Sequence, residues 1–445
     1  MASSSDVLDA LSKYEWVEAA RLALHIGQDA DLRLVEVAAK APDADADADA
    51  DEDFQGFIGE TASVRARVVE GASGEQREAA LFLKAVPSGN RVREALAVGT
   101  RAFHKEVAFF ALLERLLPRL RNKAPAPWAA RCVLANPRWL VFEDLGAQGF
   151  RTLGLRNTLD FAHCAAALEA LARLHATSLA AEEGDRRARR LSPWRLGERF
   201  PDAVEEVMFT DAFPNILSNY IASAVRPIKT LVALMPKYKD SPRYTDIMQR
   251  ADHLPRIAQK LVKPSDKFRN VLCHGDVWIN NIMFRYSSWG QVAEARLVDF
   301  QLTRYAPPAL DVEMLLQMCT RRAFRDAHAH ELRATYYEAL ERALEGAGFD
   351  ARQLLPRAEF EASSATGAAF ARIATACYFP GDQLPADIMG PVMASEDVLE
   401  RYMQEERCPY VRDAWARDAD YRDRVGETIE ELVDNLLLAE DHLFA

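Results

Sequence analysis

The sequence of 445 residues lacks the features that mark secreted and membrane proteins. Its six cysteines are scattered, without the C-x-x-C spacing that is typical of zinc sites and redox pairs, so a reducing compartment fits best. The opening residues, MASSSD, include neither the basic region nor the apolar core of a signal peptide, and no uninterrupted apolar run reaches membrane-spanning length. We therefore expect a cytoplasmic protein without a membrane span.

An excess of positive charge is also absent. The chain has 55 lysines and arginines against 67 aspartates and glutamates, which gives a formal net charge of −12 at pH 7. Binding to nucleic acid or to an anionic membrane usually needs a broad basic surface, so we expect neither partner. No feature of the sequence indicates a protein partner either. An anionic ligand must therefore meet a local cationic pocket.

The hydrophobic pattern divides the chain into three predicted segments, and the first of them covers residues 1–54. It contains a predicted helix over residues 5–27 and an alternating Asp-Ala run that ends at residue 53. Aspartate and alanine lack the side-chain bulk that strands favour, and the aspartates repel one another. We interpret the run as a disordered acidic insertion; calcium binding is the alternative.

Residues 55–145 have the pattern of a small sheet-rich lobe, and residues 146–445 are predominantly helical. A three-stranded antiparallel meander, a helix with an apolar stripe and one further strand are predicted in the smaller lobe, from the runs at 57–58, 64–69, 80–86, 103–113 and 139–142. The sequence thus predicts an α+β fold of two lobes. The antiparallel sheet lies in the N-terminal lobe and most helices lie in the C-terminal lobe.

Two charged residues of the smaller lobe fall on apolar faces. Lys84 shares a strand face with Phe82, because side chains alternate along a strand. Glu106 lies three residues after Phe103 on the apolar side of the predicted helix. An inward charge without a partner is costly, so we expect Lys84 and Glu106 to pair. The alternative is a solvated lysine and an unrelated glutamate.

The segment CHGDVWINN, residues 273–281, places an acid and carboxamides among apolar neighbours. Asp276 and Asn281 lie in this segment, and Asp299 ends a strand-like run that follows it. Two carboxylates and a carboxamide offer hard oxygen ligands for Mg²⁺ and an acceptor for a hydroxyl proton. Each acid alone could simply cap a turn or a strand end. Together with Lys84 and Glu106 upstream, they indicate phosphoryl transfer.

The same residues carry a family resemblance. The order H-G-D-V-W-I-N-N from His274 resembles the H-G-D-x-W-x-x-N catalytic loop of the ecdysteroid kinase-like (CHK kinase-like) family, and D-F-Q from Asp299 resembles its D-F-Q motif. This family is related to choline and aminoglycoside kinases of the protein kinase-like fold. Weaker likenesses extend over residues 55–315: a phosphate-covering turn with Gly59, Thr61 and Ser63, an F-x-x-E helix with Glu106, and a hinge at Glu143, Asp144 and Leu145.

The resemblance implies a role for each matching residue. Asp276 would orient the acceptor hydroxyl and accept its proton, while Asn281 and Asp299 would hold Mg²⁺ on the phosphates of ATP. Lys84, steadied by Glu106, would bind the α- and β-phosphates. Backbone groups of the hinge would bind adenine, and the turn from Gly59 would cover the phosphates.

Other polar residues are predicted to be structural. His274 would support the catalytic loop, and His175 would satisfy a local hydrogen bond. Asp311 would cap a helix N-terminus or, as the resemblance implies, brace the catalytic loop. The sequence departs from protein kinases at two points. The phosphate turn has Gly59 alone rather than repeated glycines, and Gln301 replaces the glycine that would permit a large backbone rotation of the D-F-Q segment.

These observations favour an ATP- and Mg²⁺-dependent small-molecule kinase. Its acceptor is expected to be the hydroxyl of a steroid, ecdysteroid-like, or of another lipophilic alcohol. The alternatives are a choline, aminoglycoside or xenobiotic-alcohol kinase and a non-catalytic pseudokinase that serves as a binding module. The retention of Lys84, Asp276, Asn281 and Asp299 argues against the pseudokinase.

Overall fold

A computed structural model describes residues 32–40, 60–70, 76–86, 91–120, 127–137, 139–189, 195–212 and 215–439. The predicted helix over residues 5–27, the Asp-Ala run and the predicted strand at 57–58 lie outside these residues. The proposed segment boundaries after residues 54 and 145 stay predictions.

The N-terminal lobe is built on an antiparallel sheet of five strands in the order β1-β2-β3-β5-β4. The strands are β1 (Leu32–Lys40), β2 (Glu60–Glu70), β3 (Gln76–Ala85), β4 (Cys132–Ala135) and β5 (Trp139–Glu143). Helices α1 (Arg91–Gly99) and α2 (Ala102–Leu120) lie between β3 and β4 in the chain. The predicted strands at 64–69, 80–86 and 139–142 are confirmed as β2, β3 and β5.

Strands β1, β2 and β3 form a three-stranded antiparallel meander, but neither its first strand, β1, nor β4 was predicted. Strand β1 pairs with β2 along nearly its whole length, with a register shift between Leu34 and Glu36. Such a bulge inserts an extra residue and breaks the alternation of period two by which a strand is recognised in a sequence. Strand β4 has only four residues, which is too short for a clear pattern.

The C-terminal lobe is mostly helical. Its first helices are α3 (Phe161–Arg189), α4 (Leu196–Arg199), α5 (Pro201–Val204), α6 (Ile216–Ser223), α7 (Val225–Leu234), α8 (Pro236–Lys239), α9 (Tyr244–Ala251) and α10 (Leu254–Leu261). Its later helices are α11 (Ala309–Cys319), α12 (Arg322–Gly346), α13 (Ala351–Leu354), α14 (Arg357–Asp382), α15 (Ala386–Met393), α16 (Glu396–Gln404), α17 (Cys408–Arg417) and α18 (Ala419–Leu432). Among the described residues, every helix is too short or too polar to cross a membrane.

Two small antiparallel sheets interrupt the helices. Their strands are β6 (Phe150–Arg151), β7 (Val271–Cys273), β8 (Ile282–Tyr286), β9 (Val292–Leu297) and β10 (Arg304–Ala306). Strand β7 pairs with β10, and β8 pairs with β6 and β9.

One large hydrophobic core joins the two lobes. Phe109 of α2, Leu168 of α3, Leu315 of α11 and Phe370 of α14 all belong to it and are almost completely buried. A smaller cluster, which includes Val64 and Leu83, covers one face of the five-stranded sheet. The predicted α+β class, with a small antiparallel-sheet lobe and a larger helical lobe, is confirmed.

Candidate active site

Strand register brings residues 274–281 and residues 298–303 side by side. Cys273 at the end of β7 pairs with Arg304 at the start of β10, and Ile282 at the start of β8 pairs with Leu297 at the end of β9. The connection from β7 to β8, here called the catalytic loop, therefore begins and ends beside the connection from β9 to β10, here called the DFQ segment.

Gly275 lets these two segments touch through their backbones. Its φ is +82°, in the left-handed region that favours glycine. A Cβ atom at this position would lie 2.0 Å from the carbonyl oxygen of Leu302. Asp299 also has a positive φ, of +66°, which is uncommon for a residue with a side chain and is best tolerated by Asp and Asn. The backbone is therefore locally strained at Asp299, one of the acids of the site.

Asp311 fixes the start of the catalytic loop. Its Oδ2 accepts a hydrogen bond of 2.6 Å from the backbone N–H of His274, and its Oδ1 accepts one of 3.0 Å from that of Gly275. His175 Nε2 lies 3.1 Å from the same Oδ2, and its Nδ1 lies 2.7 Å from the hydroxyl of Tyr336. Burial would raise the pKa of Asp311, but these hydrogen bonds and the nearby histidines lower it.

Of the two structural roles expected for Asp311, the helix cap is wrong and the brace for the catalytic loop is observed. Helix α11 has Pro308 at its N-cap, so Asp311 lies in the first turn and its carboxylate turns to the catalytic loop instead. His175 is buried and hydrogen-bonded as expected, although its partners are distant in the sequence rather than local.

His274 joins the catalytic loop to the DFQ segment. The backbone N–H of Asp276 donates to its Nδ1 over 3.3 Å, and its Nε2 lies 3.0 Å from the carbonyl oxygen of Val298. Nε2 therefore carries the proton and donates it. Burial lowers the pKa of His274, so the ring stays neutral. These contacts agree with the structural role expected for this residue.

Asp276 and Asn281 face each other across the catalytic loop. Asn281 Nδ2 donates to Asp276 Oδ2 over 2.8 Å and to the Asp276 carbonyl oxygen over 2.9 Å. Because Nδ2 is engaged in this way, Oδ1 is the atom of Asn281 left to act as a ligand. Burial, followed by repulsion from Asp299 and Asp382, raises the pKa of Asp276 to about 7.

Lys84 links the N-terminal lobe to the DFQ segment. Its Nζ lies 2.6 Å from Glu106 Oε2 and 2.9 Å from Asp299 Oδ1. Glu106 also accepts a hydrogen bond of 3.2 Å from the backbone N–H of Phe300. Burial would lower the pKa of Lys84, but the carboxylates of Asp299 and Glu106 outweigh it and raise the pKa to about 12. Lys84 and Glu106 thus pair as predicted, and Lys84 is fully charged at neutral pH.

Phe300 of the DFQ segment is locked between the lobes. It is 1% exposed, and its ring stacks on that of Phe109 with centroids 4.4 Å apart. Trp128 packs against it edge to face at 5.6 Å. Gln301 is buried as well, and its Nε2 lies 3.4 Å from Glu106 Oε2. These contacts stabilise the observed conformation of the segment.

The remaining predicted residues have mixed placements. Gly59 lies outside the described residues. Thr61 and Ser63 on β2 pair with Lys84 and Phe82 of β3, so their side chains lie on the same face of the sheet as that of Lys84. The expected hinge, Glu143, Asp144 and Leu145, begins at the last residue of β5.

Part of the hinge backbone is already engaged. The N–H groups of Glu143 and Asp144 donate to the carbonyl oxygens of Arg131 and Ala80, and the Leu145 carbonyl oxygen accepts from two later N–H groups. Fewer backbone groups are therefore free for adenine than the resemblance implies.

Some groups around Asp276 were missed from the sequence. Asp382 and Tyr378 of α14 and Arg304 of β10 all interact electrostatically with Asp276. About a hundred residues separate α14 from the catalytic loop, and no motif marks these positions. The helical periodicity of α14 was the only available signal, and it does not indicate which neighbour the helix meets.

Several solved structures are similar to this chain. An ethanolamine kinase from Plasmodium vivax is 12% identical over 95% of this chain and 96% of that chain, with a TM-score of 0.39. A choline/ethanolamine kinase family protein from Mesorhizobium loti is 12% identical over 93% and 99%, with a TM-score of 0.30. A macrolide 2′-phosphotransferase from Brachybacterium faecium is 11% identical over 87% and 98%, with a TM-score of 0.33. No curated protein matches the chain.

The family assignment comes from a sequence model of a whole family. The model of the ecdysteroid kinase-like family matches residues 54–349, which include β2 to β10, the catalytic loop and the DFQ segment. The match covers well over half of the chain and confirms the resemblance seen in the motifs. The chain belongs to the ecdysteroid kinase-like family, and it is a phosphotransferase that acts on the hydroxyl group of a small molecule.

Proposed function

We propose that the protein transfers the γ-phosphate of ATP to a hydroxyl of a steroid-like or other lipophilic alcohol, with Mg²⁺ as cofactor. The observation that carries the proposal is the convergence of two groups of residues. The Lys84, Glu106 and Asp299 cluster joins the lobes, and the Asp276 and Asn281 pair lies on the adjacent loop.

Nucleotide binding is assigned to the first group. Lys84 carries a positive charge at the lobe interface, which suits it to the α- and β-phosphates. Glu106 holds Lys84 in place from the side of α2. Thr61 and Ser63 lie on the same sheet face, where they can approach the phosphates.

The oxygen atoms of Asp299 and Asn281 fit a divalent cation. The Asp299 side chain is 35% exposed, and only its Oδ1 bonds to Lys84. Asn281 contributes Oδ1, and a carboxylate with a carboxamide is the hard donor set that Mg²⁺ takes together with phosphate oxygens and water. The ion would neutralise charge on the transferring phosphate.

Asp276 is assigned to the acceptor hydroxyl. Its carboxylate would orient the hydroxyl and accept its proton as the acceptor oxygen bonds to the γ-phosphorus. The bond from the γ-phosphorus to the oxygen that bridges it to the β-phosphate breaks, and ADP leaves. Asn281 holds the Asp276 carboxylate through the 2.8 Å hydrogen bond.

The test is phosphorylation of a panel of steroid, choline and phenolic alcohols with labelled ATP, followed by mass spectrometry of the products. Asp276→Asn keeps the size of the side chain but removes the proton acceptor, so we expect the rate to fall about a hundredfold or more while ATP affinity is kept.

Asn280→Ala is the matched control for Asn281→Ala, because only Asn281 bonds to Asp276. We expect the change at Asn281 to reduce turnover more. Unchanged turnover by Asp276→Asn would remove the proposed mechanism. A wild-type protein that binds ATP but phosphorylates no acceptor would support the pseudokinase.

A further inference from the structure

Strand β10 brings an arginine against the catalytic loop. Arg304 of β10 pairs with Cys273 of β7, the residue directly before the loop. The Nε atom of Arg304 lies 3.1 Å from the position that a Cβ atom would take at Gly275, so the guanidinium lies against this glycine. The backbone N–H of Gly275 also donates to Asp311 Oδ1 over 3.0 Å. The residue that directly precedes Asp276 is thus held by Asp311 and contacted by Arg304.

The surroundings of Arg304 fix its side chain. The residue is 2% exposed, and its Cζ lies 5.7 Å from the ring centroid of Phe209 and 5.4 Å from that of Phe370. Arginine stays protonated in proteins, and a buried charge is costly without a counter-ion. Among the described residues, Glu206 is the only acid within 4.0 Å of this guanidinium, with its Oε2 3.2 Å from Nε. Glu206 is therefore the counter-ion of Arg304.

The two carboxylate oxygens of Glu206 have separate partners. Oε1 accepts hydrogen bonds from the backbone N–H groups of Met208 and Phe209, over 3.0 and 2.9 Å. These bonds fix the carboxylate to the segment that follows α5, and Oε2 faces Arg304 as an ion pair. A continuous series of contacts therefore runs from this segment through Glu206 and Arg304 to Gly275 in the catalytic loop.

The neighbouring Glu205 has a different partner. Its Oε2 lies 2.8 Å from Nη1 of Arg101, which directly precedes α2, and the two side chains are 31% and 42% exposed. A salt bridge as exposed as this contributes little, because water screens both charges. Two adjacent glutamates thus form ion pairs of different kinds, one buried beside the catalytic loop and one at the surface.

We propose that Glu206 and Arg304 are positioning residues for Asp276. The inference rests on the proposed function, because that function assigns the acceptor hydroxyl to Asp276. Glu206 holds the Arg304 guanidinium in place, and the guanidinium limits the movement of Gly275. Gly275 in turn sets the position of the Asp276 backbone and the direction in which its carboxylate points.

The pair has no direct polar contact with the proposed nucleotide-binding residues. In the described part of the chain, neither Glu206 nor Arg304 forms a hydrogen bond or an ion pair with Lys84 or Asp299. The pair therefore controls kcat, which depends on the geometry of Asp276, rather than the affinity for ATP.

The test is steady-state kinetics of Glu206→Gln on the acceptor that the alcohol panel identifies. A carboxamide has one oxygen, which cannot serve both the two backbone N–H groups and the Arg304 guanidinium. Because a small displacement of a reacting group costs up to about a hundredfold in rate, we expect kcat to fall about tenfold. The KM for ATP should stay close to that of the wild type. An unchanged kcat would overturn the proposal.

Glu205→Gln is the matched control, because one oxygen suffices for its bond to Arg101. We expect this variant to keep the kcat and the KM of the wild type. Equal losses of kcat in Glu205→Gln and Glu206→Gln would show that the effect does not depend on the buried pair, and would overturn the proposal.

A double-mutant cycle tests whether Glu206 acts through Arg304. Arg304→Lys keeps the charge but loses the planar group that lies against Gly275, so we expect kcat to fall as in Glu206→Gln. Residues that act as a unit are not additive, so the double variant should lose little more than the worse of the single variants. A double loss equal to the product of the single losses would overturn the series of contacts from Glu206 to Gly275.

Amide hydrogen exchange separates this inference from the proposed kinase activity and does not depend on the folding of Arg304→Lys. Mass spectrometry of peptides that cover residues 273–281, in protein with Mg²⁺ and ADP, needs no turnover. We expect Glu206→Gln to speed exchange in these peptides and Glu205→Gln to leave it unchanged. Unchanged exchange in Glu206→Gln would overturn the positioning role. Faster exchange in Glu206→Gln, with a wild type that phosphorylates no acceptor, would uphold that role and overturn the kinase proposal.

Discussion

Lys84 on β3 and Lys105 on α2 are both buried, yet the regions around them differ in kind. Lys84 is 8% exposed, and its Nζ meets two carboxylates at 2.6 and 2.9 Å. Lys105 is 1% exposed, and its Nζ donates to the carbonyl oxygens of Glu205 and Thr303 over 2.5 and 2.8 Å. Lys84 thus contacts two carboxylates directly, whereas Lys105 donates hydrogen bonds to two backbone carbonyl groups.

This difference moves their pKa values in opposite directions. Burial acts to lower the pKa of each lysine, since it disfavours the charged form. The carboxylates beside Lys84 reverse the effect and raise its pKa to about 12. Burial prevails at Lys105 and lowers its pKa to about 7, although Glu206 and Glu205 oppose it and Arg304 and Arg101 add to it. Burial alone therefore does not determine the charge of an inward lysine.

The two lysines also connect different parts of the molecule. Lys84 presents a permanent charge at the lobe interface, as a phosphate-binding group requires. Lys105 ties α2 to the DFQ segment and to residue 205 of the C-terminal lobe. Because Lys105 directly precedes Glu106, this tie positions the glutamate that holds Lys84.

The largest effect is expected from removing the charge of Lys84. Lys84→Met removes the proposed phosphate ligand, and we expect the rate of phosphorylation to fall about a hundredfold or more. It also leaves Glu106 buried without a cation, which costs about 3 kcal/mol of unfolding free energy at pH 7. Initial rates and urea denaturation measure the two effects. An equal loss of rate in Lys105→Met would show that the two regions do not differ in function.

A smaller effect is expected in the pH dependence of the unfolding free energy, to which Lys105 and Lys84 contribute in opposite directions. Unfolded Lys105 has its usual pKa of 10.5, whereas the folded value is about 7, so the unfolded chain binds more protons between these two values. Its contribution to the unfolding free energy therefore rises with pH in this window, by at most about 1.4 kcal/mol per pH unit. Lys84 acts in the opposite direction, because its stabilisation is complete below pH 10.5 and is lost as pH rises through about 12.

Urea denaturation of the wild type and of Lys105→Met at pH 7.5 and pH 9.5 tests this expectation. The difference in unfolding free energy between the two proteins should change in favour of the wild type at the higher pH. Parallel behaviour of the two proteins would contradict the lowered pKa of Lys105.

The smallest effect is expected from a substitution at Thr303, whose carbonyl oxygen accepts a hydrogen bond from Lys105. Thr303 Oγ1 donates to the carbonyl oxygen of Ala203 over 2.6 Å. Thr303→Val keeps the shape of the side chain and removes this hydrogen bond, so we expect a loss of about 1 kcal/mol in unfolding free energy. Thermal unfolding measures the change, and phosphorylation should remain close to that of the wild type. A loss of activity as large as that of Lys84→Met would mean that the region around Lys105 also controls catalysis.

The same contrast separates what the sequence could predict from what it could not. The pairing of Lys84 with Glu106 could be predicted, because both are charged residues at apolar positions and each needs a partner. The contacts of Lys105 could not, because its acceptors are backbone carbonyl groups, which every residue has. The functional roles assigned to Lys84 and Glu106 stay predictions.

Longer-range packing could not be predicted from the sequence either. The α+β class and the strands at 64–69, 80–86 and 139–142 followed from local periodicity. Strand β1 did not, because its bulge interrupts the alternation. The electrostatic interaction of Asp382 with Asp276 depends on how α14 packs against α11, and these two helices are in close contact at Gly367. Periodicity identifies a helix but not its neighbours.

The contact between Lys84 and Asp299 joins residues 215 positions apart, whereas Lys84 and Glu106 are 22 apart. During synthesis the nearer pair can form long before Asp299 has left the ribosome. Closing so long a loop costs entropy before any contact repays it, so distant pairs form late in folding. Lys84 can therefore pair with Glu106 first, and its contact with Asp299 can form only after residue 299 has been synthesised.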